Sequence, residues 1–187
     1  GEVFAVELTR PSRDVSFGLA FDRADRTILE IIAVDSAVAS GVAAAYNKTV
    51  DVSRQLLPGR FVMSINGYAG DAKRLDQLWN SELRVECQVC RPMEFSIQLD
   101  KAPEGARLGV DIDHSERGIS ITVRDIYSGL IEDWNKAHPD RAVERGDRIV
   151  AIDGRRGSAP DMVATLKAAR SVLDLVIARP DWDALRA

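Results

Sequence analysis

The chain has 187 residues, 45% of them apolar and 29% charged, with 25 Lys and Arg against 29 Asp and Glu and a formal net charge of −4. This composition fits a folded globular chain, and the acidic balance argues against a phosphate-binding surface and hence against a nucleic-acid partner. No apolar run approaches the ~20 residues that cross a bilayer, so a soluble, intracellular, cytoplasmic protein is expected.

The first elements follow in close order. "FAVEL" (4–8) is a strand, and "SFGLAFD" (16–22) places a Gly turn before a second strand at 19–22. "TILEIIAV" (27–34) is a third strand, followed by a helix over 36–46 and a loop, "NKTVDVSRQ" (47–55). "RFVMSI" (60–65) ends at Asn66-Gly67, a strong turn signal. A second helix is expected over 71–80, and "RVECQV" (84–89) closes the set.

The same order then begins again. "EFSIQLD" (94–100) alternates, with Phe95, Ile97 and Leu99 on one face. "RLGVDID" (107–113) repeats the Gly turn, and "ISITVR" (119–124) turns Ile119, Ile121 and Val123 inward. A helix over 128–137 carries Leu130, Ile131 and Trp134 at helical spacing and is stopped by Pro139. "RIVAID" (148–153) ends at Asp153-Gly154, a helix is expected over 159–169 with Val163 and Leu166 on one stripe, and Leu173, Leu175 and Ile177 share a face of the last strand.

The two runs are copies of one piece. "GRFVMSING" (59–67) aligns with "GDRIVAIDG" (146–154), "YNK" (46–48) with "WNK" (134–136), and "RVECQVCRP" (84–92) with "LDLVIARP" (173–180). Two repeats of ~90 residues are too few and too long for a solenoid. The expected division is 1–92 and 93–180, with a short C-terminal tail at 181–187. Each domain is mainly β with two helices, a small, partly open barrel or sandwich. At that size most apolar residues go into the core, and Phe61, Trp79 and Trp134 are expected there or at its rim.

Cys87 and Cys90 form a C-x-x-C. On a strand their Cα atoms lie ~10 Å apart, beyond disulfide reach, and their side chains are expected on opposite faces. Neither a redox nor a metal role is expected, and no cofactor. His114 and His138 read as surface loop residues, no G-x-S-x-G or P-loop is present, and "DIDHSERG" (113 being its third residue) lacks the later Glu of a calcium loop. An enzyme is not expected.

The x-apolar-Gly-apolar turn, the "GDRIVAIDG" segment and the final helix followed by a strand resemble PDZ domains in tandem, over about 170 residues. The first strand precedes the Gly turn, as in animal-type PDZ domains, and "WNKAHP…VERGDRIVAIDG" also resembles PDZ-like domains of unicellular algae. Arg60, in place of an acidic residue after Gly59, and the longer 47–55 loop depart from the pattern. The resemblance implies a peptide-binding module. Successive backbone N–H groups at the Gly turn would hold a carboxylate, the next strand would take an extended peptide on its edge, and the last helix would supply pockets. The implied site is Ser16, Phe17, Gly18 and Leu19 with Asp71, Leu75 and Leu78 in the first copy. In the second it is Arg107, Leu108, Gly109 and Val110 with Ala159, Val163 and Leu166. Arg13 and Lys101, just before each turn, would add positive charge. Asp71 reads equally as a helix cap. The expected partners are proteins, bound by C-terminal or internal segments. The alternative, raised by the algal resemblance, is an accessory subunit of a large photosynthetic or respiratory membrane complex, held peripherally through other surfaces, which would place it in a plastid in association with thylakoids.

Overall fold

The computed structural model describes residues 1–35, 41–101, 106–168 and 171–185, without the side chains of 184 and 185. Its contacts group into two units, one of Gly1–Pro92 with Pro180–Ala187, the other of Met93–Arg179. Both are built to one plan.

In the first unit, β1 (Glu2–Thr9), β2 (Leu19–Asp22), β3 (Leu29–Val34), β4 (Phe61–Ile65), β5 (Tyr68–Ala69) and β6 (Arg84–Arg91) are joined by α1 (Val42–Asn47) and α2 (Ala72–Ser81). The sheet runs β1-β6-β4-β3-β2, with β5 pairing β4. β1 buries alternate residues, Phe4, Val6 and Leu8, as a strand with one covered face must. β4 is the central strand, and Phe61, Val62, Met63 and Ile65 are all buried because both of its faces are covered. The core joins Phe4, Leu29, Ile31, Leu75, Trp79 and Val89. The expected start of α1, residues 36–40, lies outside the described residues.

On the far face of this sheet, Ile28, Phe61, Met63 and Cys90 form a second cluster, with Val3 and Trp182 packed on it. Trp182 belongs to a short 3-10 turn, Trp182–Leu185. Cys90 lies on the opposite face from Cys87, as expected, and under this cover both are free and buried. Cys90 Sγ accepts the Asp181 N–H at 3.3 Å. Burial pushes the Cys87 thiol up to about 12 and raises Cys90 as well.

The second unit repeats the order with β7 (Met93–Asp100), β8 (Val110–Asp113), β9 (Ile121–Ile126), α3 (Leu130–Ala137), β10 (Arg148–Ile152), α4 (Ala159–Lys167) and β11 (Val172–Arg179). Its sheet is β7-β11-β10-β9-β8, so β2 and β8 are corresponding edge strands. Each carries a bulge at the same place, Ala20/Phe21 and Asp111/Ile112. Both sheets are open, and the helices described in each unit are short. Residue 169, the expected end of α4, lies outside the described residues.

The repeated motifs have repeated work. Asn66 and Asp153 both take positive φ, 51° and 49°. Asn66 exchanges two bonds with Glu86, accepting its N–H at 2.8 Å on Oδ1, and Asp153 does the same with Asp174 at 3.1 Å. The Asn of "YNK" and "WNK" clamps the loop after its helix. Asn47 Nδ2 donates to Leu56 O and its Oδ1 accepts Leu56 N–H, as Asn135 does with Val143.

Candidate peptide-binding groove

In the second unit, the chain enters β8 through Arg107, Leu108 and Gly109. Gly109 has φ 70°, and a Cβ there would meet Tyr127 O at 2.6 Å and Ser128 O at 2.8 Å, so only Gly fits. The turn is pinned from behind: Leu130 N–H donates to Arg107 O, Ile131 N–H to Leu108 O and Tyr127 N–H to Gly109 O, at 2.7–3.1 Å. Carbonyls therefore point inward. Among the described residues, no hydrogen bond is found for the Leu108 and Gly109 N–H groups.

In front of this turn lies a cavity of ≈ 600 Å³ between β8 and α4. Arg107, Leu108, Gly109 and Val110 line it together with Val163 and Leu166, as does Ile112, one pleat further along β8. Lys101, Lys167 and Tyr127 complete its rim. Lys101 Nζ donates to Leu166 O at 3.2 Å and Ala168 O at 3.3 Å, capping α4 while bordering the cavity. Among the described residues, the lining thus has an apolar floor, three cations and no carboxylate. Ile112, Lys167 and Tyr127 are not among the site residues expected from the sequence. Ile112 sits two residues past the turn residues and follows from strand alternation alone.

Ala159, expected in the helix wall, does not line the cavity. Its side chain is fully buried in the core, and its N–H donates to Gly118 O at 2.8 Å. The first residue of the helix is anchored against the preceding loop, which turns it inward.

The first unit differs more. Ser158 caps α4 by accepting the Asp161 N–H, and Asp71 caps α2 by accepting the Arg74 N–H at 3.1 Å. The caps pair Asp71 with Ser158, so Ala72 corresponds to Ala159, Asp76 to Val163 and Trp79 to Leu166. The spacing that matches Asp71, Leu75 and Leu78 to the second helix is one residue out. Leu75 and Leu78 are core residues, and Asp71 precedes the helix as its cap. α2 buries Ala72, Leu75, Leu78 and Trp79, an apolar stripe wide enough to accept either alignment.

The corresponding positions close on one another. Phe17 (at the place of Leu108) lies 4.8 Å from Trp79 between ring centroids, and Phe21 (at the place of Ile112) meets Trp79 edge-on at 5.0 Å. Arg23, just past β2, pairs with Asp76 of α2 at 2.8 Å. Gly18 has φ 84°, and its N–H donates to Ser16 Oγ at 3.0 Å. Leu19 packs against the core. Arg13 sits in the exposed turn before Ser16. The residue that matches Lys101 is Arg10, which caps α2 through Asn80 O and Glu82 O and stacks 4.6 Å over Phe17.

The strand order, the two helices and the Gly turn facing the last helix resemble the arrangement of PDZ domains, as the two copies do in sequence. No protein-family model matches the chain, and no curated protein matches it. Among solved structures, the chain is similar to INAD PDZ45 in complex with NG2 peptide at 20% identity, covering 96% of this chain and 90% of that one, with a TM-score of 0.37. It is similar to the complex of INAD PDZ45 and NORPA CC-PBM at 19% identity, covering 96% and 92%, with a TM-score of 0.39. The fifth PDZ domain of InaD in 10 mM DTT matches at 24% identity over 48% of this chain and 99% of that one, with a TM-score of 0.38. Among the described residues, no group of three or more His, Cys, Asp or Glu is placed to hold a metal, and no helix is long and apolar enough to cross a membrane.

Proposed function

We propose that the chain is a non-catalytic protein–protein interaction module whose second unit binds peptide segments of partner proteins, C-terminal ends above all. The observation that carries this is the cavity between the β8 edge and α4, apolar within and cationic at one end. A peptide adds to the free edge of β8 as one more strand. Its carboxylate meets the Leu108 and Gly109 N–H groups, a backbone nest for an anion, within reach of the field of Lys101, Arg107 and Lys167. Its terminal apolar side chain fills the gap between Leu108 and Leu166. The side chain two residues earlier faces Ile112 and Val163, which offer no hydrogen bond, so an apolar residue is favoured there. The accessory-subunit alternative finds no support in the structure and is not part of this reading.

Arg107 and Lys167 are exposed, so their charges can be reversed without touching the core. Each rim interaction is worth ~0.2–1 kcal/mol, and reversal roughly doubles the change. Arg107→Glu or Lys167→Glu is expected to weaken a carboxylate-ended apolar peptide by about 2- to 30-fold in a calorimetric titration, less at high salt, with an unchanged melting temperature. Affinity indifferent to both reversals at low salt would refute this placing of the carboxylate.

A further inference from the structure

We infer that Trp79 is a built-in occupant of the first unit's cleft, so that the whole chain takes one carboxylate-ended segment rather than two. The part of this inference that concerns ligand rests on the second groove being a peptide site; the closed state of the first cleft does not.

A strand-adding ligand needs a gap between the edge strand and the helix, and backbone donors at the turn. The second unit has the gap, bordered by Leu108, Ile112, Val163 and Leu166. The first unit carries Phe17, Phe21, Asp76 and Trp79 at those four positions. Phe17 is fully buried where Leu108 is half-buried, and the indole lies against both phenyl rings, in the contact geometry that aromatic pairs favour. A ligand's apolar side chain would have to displace it. The Arg23–Asp76 pair ties the rim of β2 to α2 across the same cleft. At the turn, the Gly18 N–H is already taken by Ser16 Oγ, whereas Arg107 stands at the place of Ser16 and brings no acceptor. The cation matching Lys101 is also withdrawn: Arg10 is buried, with its guanidinium on the carbonyls of Val15, Asn80 and Glu82. Strand edge, turn and helix each differ in the direction that excludes a peptide end.

The test uses the isotopically labelled full chain in solution and the tripeptide N-acetyl-Val-Ala-Val with a free carboxylate. In the wild type, NMR shifts are expected at β8 and α4 with a stoichiometry of one and none at β2 or α2. The Asp76→Val/Trp79→Leu double variant takes the residue types of the second unit, and a second set of shifts is expected at Phe17–Leu19 with a stoichiometry of two. If that variant loses its β2 signals, Phe21→Ile thins the plug from the strand side and is read the same way. Shifts at β2 and α2 in the wild type overturn the inference, as does a folded variant that still binds once. Independently of any ligand, ring-to-ring Overhauser contacts from Trp79 to Phe17 and Phe21 are expected. If the tripeptide binds neither unit, the groove reading fails and these contacts alone decide the plug: their absence overturns it.

Discussion

Arg60 stands where the second copy has Asp147, and each is satisfied by means the other copy lacks. Asp147 is fully buried and accepts a two-pronged contact from Arg179 at 2.7–2.8 Å and the Glu144 N–H. The counterpart of Arg179 at the end of β6, Arg91, pairs instead with Glu2 at 2.6 Å. Arg60 turns into the long 47–55 loop and donates to Val52 O, Ser53 O and Gln55 O. The longer loop and the reversed charge, two separate departures in the sequence, are one feature in space. Removing the guanidinium leaves three carbonyls without that donor. Arg60→Met is expected to cost the first unit about 2–4 kcal/mol, read as a lower urea midpoint for its transition alone; no change would show that water replaces the donor freely. Cys87 supplies a pH test. Its folded thiol is raised to about 12 from 9.0 by burial, so the unfolded chain loses the proton first. The sign follows: this contribution is whole below pH ~8.5 and drains away as pH rises toward 12, at up to ~1.4 kcal/mol per pH unit. Cys87→Ala is expected to flatten that alkaline limb by one proton, and an unchanged slope in urea melts from pH 8.5 to 10.5 would contradict it.

At the scale of elements, the two Gly turns look alike in sequence and differ in their surroundings. Both have positive φ, which costs a residue with a Cβ roughly 1–2 kcal/mol. Around Gly18 the nearest atom to a new Cβ is 3.7 Å away, whereas at Gly109 three backbone atoms lie within 2.9 Å. Gly18→Ala is therefore expected to cost about 1–2 kcal/mol, and Gly109→Ala about 2–5 once overpacking is added. Thermal melts that rank them the other way would refute the asymmetry. It also makes Gly109 a poor site for separating binding from folding. Strand positions and motif repeats were legible because alternation and turn residues are local properties. Asn66 and Asp153 before their glycines announce themselves in this way. The helix register was not: α2 offers two apolar alignments, and only the caps and the bonds from Ala72 and Ala159 to the preceding loops choose between them. Nor does a sequence say that Phe17, Phe21 and Trp79 meet, since β2 and α2 stand ~50 residues apart in the chain.

At the scale of the molecule, duplication has yielded two copies of one frame with different clefts. The frame is held by what repeats, the Asn clamps, the Asx turns, the bulged edge strand and the helix caps. The divergence sits in the side chains between the edge strand and the last helix, and in Arg60 with its longer loop in place of Asp147. The C-terminal residues add a third asymmetry, since Trp182 covers Phe61, Met63 and Cys90 of the first unit. The central claim, that the second unit holds a peptide end in the cleft of β8 and α4, is tested most directly by amide hydrogen exchange on the full chain with one apolar hexapeptide in two forms. With a free carboxylate, the peptide is expected to slow exchange at Leu108–Ile112 and along α4. With an amidated end, it is expected to bind at least about threefold more weakly, since the nest and three cations lose their anion. Equal affinity of the two forms, or protection that falls away from β8, would contradict it.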